Sequence, residues 1–138
     1  MEKFRELGAD LRVCDTTELA YMGDAVYEVY IRKYVLEHFR AKINEVNRKV
    51  IDFVRADGQA KAAKFMLSEG FLSETEESLY KRARNHTNTN HPRGTSPMTY
   101  KMATGFEAVV GYLYLTGDDV RLAEFIEKTV EILGGRDE

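Results

Sequence analysis

The segment ELAYMGDAVYEVYIRKYVLEHF, residues 18–39, most constrains what this chain can fold into. It reads as a helix apolar on most of its circumference, with Leu19, Met22, Val26 and Val29 at helical spacing. A helix of that kind belongs inside a packed domain. Yet Gly23 and Asp24 stand side by side near its middle. Both weaken a helix interior, the glycine by roughly 1 kcal/mol relative to alanine. A chain that keeps them has another use for the position: the acid is paired with a base, or it holds something.

Helical periodicity continues nearly everywhere, and no segment reads as a convincing strand. Asp15 or Thr16 caps the first helix, which runs to about Phe39. Ile43, Val46, Val50, Phe53 and Val54 form the apolar stripe of a second. A third is expected from Ala60 to Glu69, with Gly70 ending it. Ser73 caps a fourth, SETEESLYKRARN, with acids in its first turn and bases in its last, as the helix dipole favours. HTNTNHPRGTS then reads as a loop. Ser96-Pro97 restarts a fifth helix, running to about Thr116. Asp118 or Asp119 caps a sixth, with Leu122, Phe125, Ile126 and Leu133 on one face. The expectation is an all-α, single-domain fold over residues 1–138, and 138 residues are enough for one core.

Composition excludes several classes. At 43% hydrophobic and 31% charged residues, the chain is an ordinary globular protein. One cysteine, Cys14, allows no internal disulfide, and no Cys/His cluster has zinc-ligand spacing. The charged N-terminus is no signal peptide, and no apolar run approaches the ~20 residues of a membrane span. A cytoplasmic protein without membrane partners is expected. The histidines at 38, 86 and 91 read as surface or loop residues.

The fifth helix repeats the oddity of the first. In MATGFEAVVGYLYL, residues 102–115, Glu107 is the only ionisable side chain apart from tyrosines. Glu28 follows Asp24 by one turn on the same face. An ionised carboxylate in apolar surroundings loses its charge or finds a cation. Two such acids together repel each other, and a divalent ion such as Mg²⁺, which takes few carboxylates and keeps several waters, relieves that. On spacing alone, pairing with arginines or reaching out to the surface explains the acids as well.

The residues also carry a resemblance. ELAYMGDAVYE resembles the ribonuclease III signature, a glycine-aspartate pair in an apolar helix with an acid one turn later, and TGFEAVVGYLYLTGD resembles that family's second acidic helix. The short helical chain looks most like the Mini-ribonuclease III group, the nuclease domain without a separate double-stranded-RNA-binding domain. The resemblance implies a homodimeric, Mg²⁺-dependent endonuclease that cuts double-stranded RNA, with the precursor of the large-subunit (23S) ribosomal RNA as its substrate. It implies catalytic, metal-binding roles for Asp24 and Glu107. The wider family has a further glutamate where this chain has Ala20, and an aspartate where it has Thr104. The Mini group shares this thinner set. Thr104 could contact a metal-bound water and Glu28 could position one, a salt bridge or subunit interface being the other reading of Glu28. Tyr21 falls where the family has an interface aromatic.

From Ser78 to Phe106 there is no acid. Lys81, Arg82, Arg84, Arg93 and Lys101 give this stretch a formal +5 in a chain of net −3, so the remainder carries −8. Together with Asn85 these residues are candidates for RNA phosphate contacts. The loop has no aromatic beyond its histidines, which fits a duplex read by shape better than stacked single strands. A solvated helix end explains Lys81 and Arg82 equally. Two rival functions stand beside the nuclease: a catalytically silent RNA-binding or scaffold module of ribosome assembly, and a helical protein-interaction domain.

Overall fold

The computed structural model describes residues 15–86 and 93–134, which form six helices and, among the described residues, no strand. In chain order they are α1 (Thr16–His38), α2 (Ile43–Val54), α3 (Ala56–Ser68), α4 (Glu74–His86), α5 (Pro97–Leu115) and α6 (Asp119–Ile132). The all-α expectation holds.

Local chemistry sets the helix ends. Asp15 and Glu18 form a reciprocal capping box at the start of α1. Ser73 and Glu76 do the same for α4. Ser96 caps α5 ahead of Pro97, and Asp118 caps α6. The third helix departs from the expectation: it begins at Ala56, four residues early. Arg55 is extended, so it closes α2 and opens α3 without a loop, and its guanidinium pairs with Asp57 in the new first turn.

The core is built around α5, which packs against α1, α4 and α3. Phe106 lies at its centre, with the Tyr27 ring 4.9 Å away edge-on and Phe125 of α6 at 5.2 Å. Aromatic pairs in this geometry add to the area they bury. The Tyr27 hydroxyl donates to the Phe53 carbonyl at 2.8 Å, tying α1 to the end of α2. On the far side, Arg121 of α6 grips the buried Glu76 carboxylate and the Phe71 carbonyl, with its guanidinium over the Phe71 ring.

Helical spacing misplaces three side chains. Val29 and Ile43, expected on buried faces, are 63% and 72% exposed. Asp24 is exposed as well, although its helix is the one that looked most buried. A helix face is fixed by what packs on it, and α1 leaves one face uncovered.

Candidate active site

Gly23 is the point at which two helices touch. A Cβ there would overlap the Glu107 carbonyl and press on the Gly111 nitrogen. A Cβ on Gly111 would overlap the Leu19 carbonyl in turn. Helices α1 and α5 therefore cross backbone to backbone, closer than any side chain permits. The residue beside each contact is the acid. Asp24 follows Gly23, Glu107 lies one turn before Gly111, and their carboxyl groups come within hydrogen-bonding reach of each other. The glycine and the acid inside α1 thus have one explanation: the first admits α5, and the second meets what α5 brings.

The electrostatics follow from that meeting. Burial, and then the negative charge of Asp24, push the Glu107 carboxyl up to about 8. A hydrogen bond from the Gln59 amide acts in the opposite direction. The same local field reaches Tyr27, whose phenol is raised by burial and by Glu107. Neither acid enters an ion pair among the described residues, so pairing with an arginine is not how these charges are balanced. Asp24 reaches solvent, but the half-buried Glu107 does not escape the same way.

The donor set bears directly on the divalent ion that the resemblance implies. No group of three His, Cys, Asp or Glu residues converges among the described residues. What converges is two carboxylates, exposed Asp24 and half-buried Glu107, the latter raised by burial and by the charge of the former. That set fits Mg²⁺, which is commonly held by one or two carboxylates and retains water. It fits poorly a softer ion that requires a closed nitrogen or sulfur cage.

The remaining expected residues fall around this pair. Thr104 lies on α5 one turn before Glu107, its hydroxyl donating to the Tyr100 carbonyl at 3.0 Å, so its lone pairs remain able to accept. Glu28 is held by Arg32 one turn on, the salt-bridge reading of that residue. Ala20 is buried, and Glu18 is spent on the α1 cap. Lys81 pairs with Glu77 at 2.8 Å. Arg84 lies over the Tyr80 ring and bonds Asn85, while Arg82 and Arg93 are exposed. Tyr80 packs against Gly105 of α5, which brings the basic end of α4 beside the helix that carries Lys101 and Glu107. Residues 87–92 of the expected basic loop, His91 included, lie outside the described residues, as does Cys14. His38 and His86 are exposed, in keeping with a surface role.

Sequence reasoning missed Gln59, the residue of α3 that touches Glu107. It is 2% exposed in an alanine- and lysine-rich helix where one glutamine carries no distinguishing pattern. A cleft of about 700 Å³ between the end of α1 and α6, lined by Tyr30, Tyr34, Phe39, Ile126 and Val130, contains neither acid.

Comparison with known proteins places the chain in a family. Residues 17–118 match the ribonuclease III domain. The chain is 42% identical over 120 residues to a Mini-ribonuclease 3 of Desulfitobacterium hafniense, covering 87% of this chain and 74% of that one. It is 38% identical over 129 residues to the Mini-ribonuclease 3 of Enterococcus faecalis, covering 94% and 98%. The crystal structure of a Fusobacterium nucleatum protein superposes with a TM-score of 0.77 at 34% identity, over 88% of this chain and 96% of that one.

Proposed function

Because the chain belongs to the ribonuclease III domain family, in its Mini-ribonuclease III group, we propose that it is a Mg²⁺-dependent endoribonuclease cutting double-stranded RNA. In this reading it works as a cytoplasmic homodimer that matures the large-subunit (23S) ribosomal RNA precursor, and its nuclease domain spans residues 1–138. One observation carries the reading: Asp24 and Glu107 are forced together at a glycine crossing, with no cation among the described residues to balance them.

Asp24 and Glu107 are the residues that would hold the ion. A bound Mg²⁺ supplies an activated water and offsets the charge that develops on the phosphate. The chain's own residues do the rest. Half-buried Glu107 and exposed Asp24 present one fixed and one accessible carboxylate to the backbone of the substrate. Thr104, with a hydroxyl oxygen free to accept, orients water beside Glu107. Lys81, Arg82, Arg84, Asn85, Arg93 and Lys101 contact phosphates along a duplex, which has no sequence to read in its backbone. Glu28 keeps Arg32 in place on the same exposed face of α1.

A duplex has two strands to cut, and a two-fold dimer presents two equivalent centres. The uncovered face of α1 supports that arrangement: Tyr21, Val29 and Leu36, at 82%, 63% and 60% exposure, line one side of the helix next to Asp24. The second reading, a silent RNA-binding or scaffold module, is favoured by Ala20 and Thr104 standing where the wider family has acids. Incubating the purified protein with duplex RNA, with Mg²⁺ or with EDTA, separates the two. Cutting that EDTA abolishes supports the nuclease; tight binding without cutting in either condition supports the silent module.

A further inference from the structure

Gln59 is only 2% exposed, in a helix where an alanine or leucine would pack without hydrogen-bonding demands. Its Nε2 donates to the Val54 carbonyl at 3.0 Å, across the break at which Arg55 separates α2 from α3. That bond fixes the plane of the amide against backbone. On its other side the amide faces the Glu107 carboxyl across the α3–α5 packing and favours its charged form. Its Oε1 has no partner, which is a cost in stability that an apolar side chain would avoid. A polar group kept at a cost, anchored at one end and touching a candidate metal ligand at the other, has the form of an outer support that orients a ligand.

We propose that Gln59 is a positioning residue for the acidic pair: anchored on the Val54 carbonyl, its amide holds the Glu107 carboxyl turned toward Asp24, in the orientation that binds a divalent cation. This rests on the metal-centre reading given above. Gln59 touches neither substrate nor cation in this role; it acts through Glu107. The break between α2 and α3 then has a function, because it leaves the Val54 carbonyl free to anchor the amide.

The test uses Mn²⁺ as a paramagnetic probe, with its binding to the full chain followed by electron paramagnetic resonance. Removing an outer support commonly costs 10–100-fold in metal affinity. Gln59→Met, which keeps length and loses the donor, is expected to raise the Kd for Mn²⁺ by about that factor while its circular dichroism stays helical. The wild type supplies a second measurement that needs no folded variant. The side-chain NH₂ resonances of Gln59 are expected to shift as Mg²⁺ is added, and to stop responding in Glu107→Gln. If wild type binds Mn²⁺ and Gln59→Met binds it as tightly, or if the NH₂ pair does not move at saturating Mg²⁺, the role of Gln59 is overturned and the nuclease reading stands. If wild type binds no Mn²⁺, the metal centre is overturned and this inference with it.

Discussion

At Glu107, burial and then the neighbouring Asp24 raise one carboxyl, against the lowering influence of the Gln59 amide. They hold its pKa at about 8 against 4.5 for an ordinary glutamate. Between those values the folded chain binds a proton that the unfolded chain has released. Stability of the metal-free protein should therefore fall as pH rises from about 4.5, with the loss complete above about 8 and on the order of a few kcal/mol. Urea unfolding at a series of pH values in EDTA tests this. Glu107→Gln is expected to flatten that decline and to be the more stable protein at pH 8.5. Asp24→Asn should share part of the gain, since it removes the repulsion but not the burial. Added Mg²⁺ should restore wild type at pH 8.5 and leave Glu107→Gln nearly unmoved. Both variants should lose Mg²⁺-dependent cleavage of duplex RNA, and wild-type rates in either would remove the assignment. A metal-free wild type whose stability does not fall across the window would mean that the two carboxyls do not share the site described.

Among the helices, the decisive contact is the α1–α5 crossing. Helix propensity alone says that Gly23→Ala stabilises α1 by about 1 kcal/mol. The crossing says the opposite, because the new methyl must displace backbone of α5 rather than a flexible side chain. Overpacking of this kind costs about 1–3 kcal/mol or more, so Gly23→Ala and Gly111→Ala should both lower the urea midpoint, and a raised midpoint would refute the close approach. A second joint is the Arg121–Glu76 pair, which ties α6 to α4. Burial works against the Glu76 charge, but Arg121 and the Ser73 cap outweigh it and hold the carboxyl below its usual range. Its contribution is present at neutral pH and is lost as pH falls below about 4.5. Arg121→Leu strands the buried carboxylate and should cost about 3–5 kcal/mol at pH 7, and much less at pH 3. These joints also mark what a sequence makes legible. Caps are local chemistry, so the starts at Asp15, Ser73, Ser96 and Asp118 could be read directly. The Ala56 start could not, because Asp57 and Gly58 look like a turn until Arg55 takes its extended conformation. Asp24 and Glu107 stood out as lone acids in apolar helices. That Gly23 exists to admit Gly111, far along the chain, is a tertiary fact with no local signal. The same holds for Gln59, and for which face of α1 remains bare.

For the whole molecule, the bare face of α1 and the basic end of α4 make separate demands. Val29 and Leu36 are far more exposed than isolated surface residues need be, and they sit on the helix that carries Asp24. If two copies meet there, Val29→Glu with Leu36→Glu places like charges across the two-fold axis. Sedimentation should then show a monomer with reduced cleavage of duplex RNA, whereas an unchanged dimer would locate the interface elsewhere. In the proposed function the basic residues bear on substrate affinity. Arg84 is partly committed to Tyr80 and Asn85, and Lys81 to Glu77, so removing either disturbs packing as well as charge. Arg82 and Arg93 are the cleaner probes: both are exposed, and neither enters an ion pair among the described residues. Deleting one phosphate-binding side chain should weaken binding to every duplex sequence alike and reduce the slope of log affinity against log salt by roughly 1. Cleavage at saturating RNA should keep most of its rate, because Asp24 and Glu107 are untouched. A double variant, Arg82→Ala with Arg93→Ala, measured across a salt titration, gives the sharpest contrast. An unchanged slope would make this end of α4 a solvated helix terminus and would require another surface to carry the duplex.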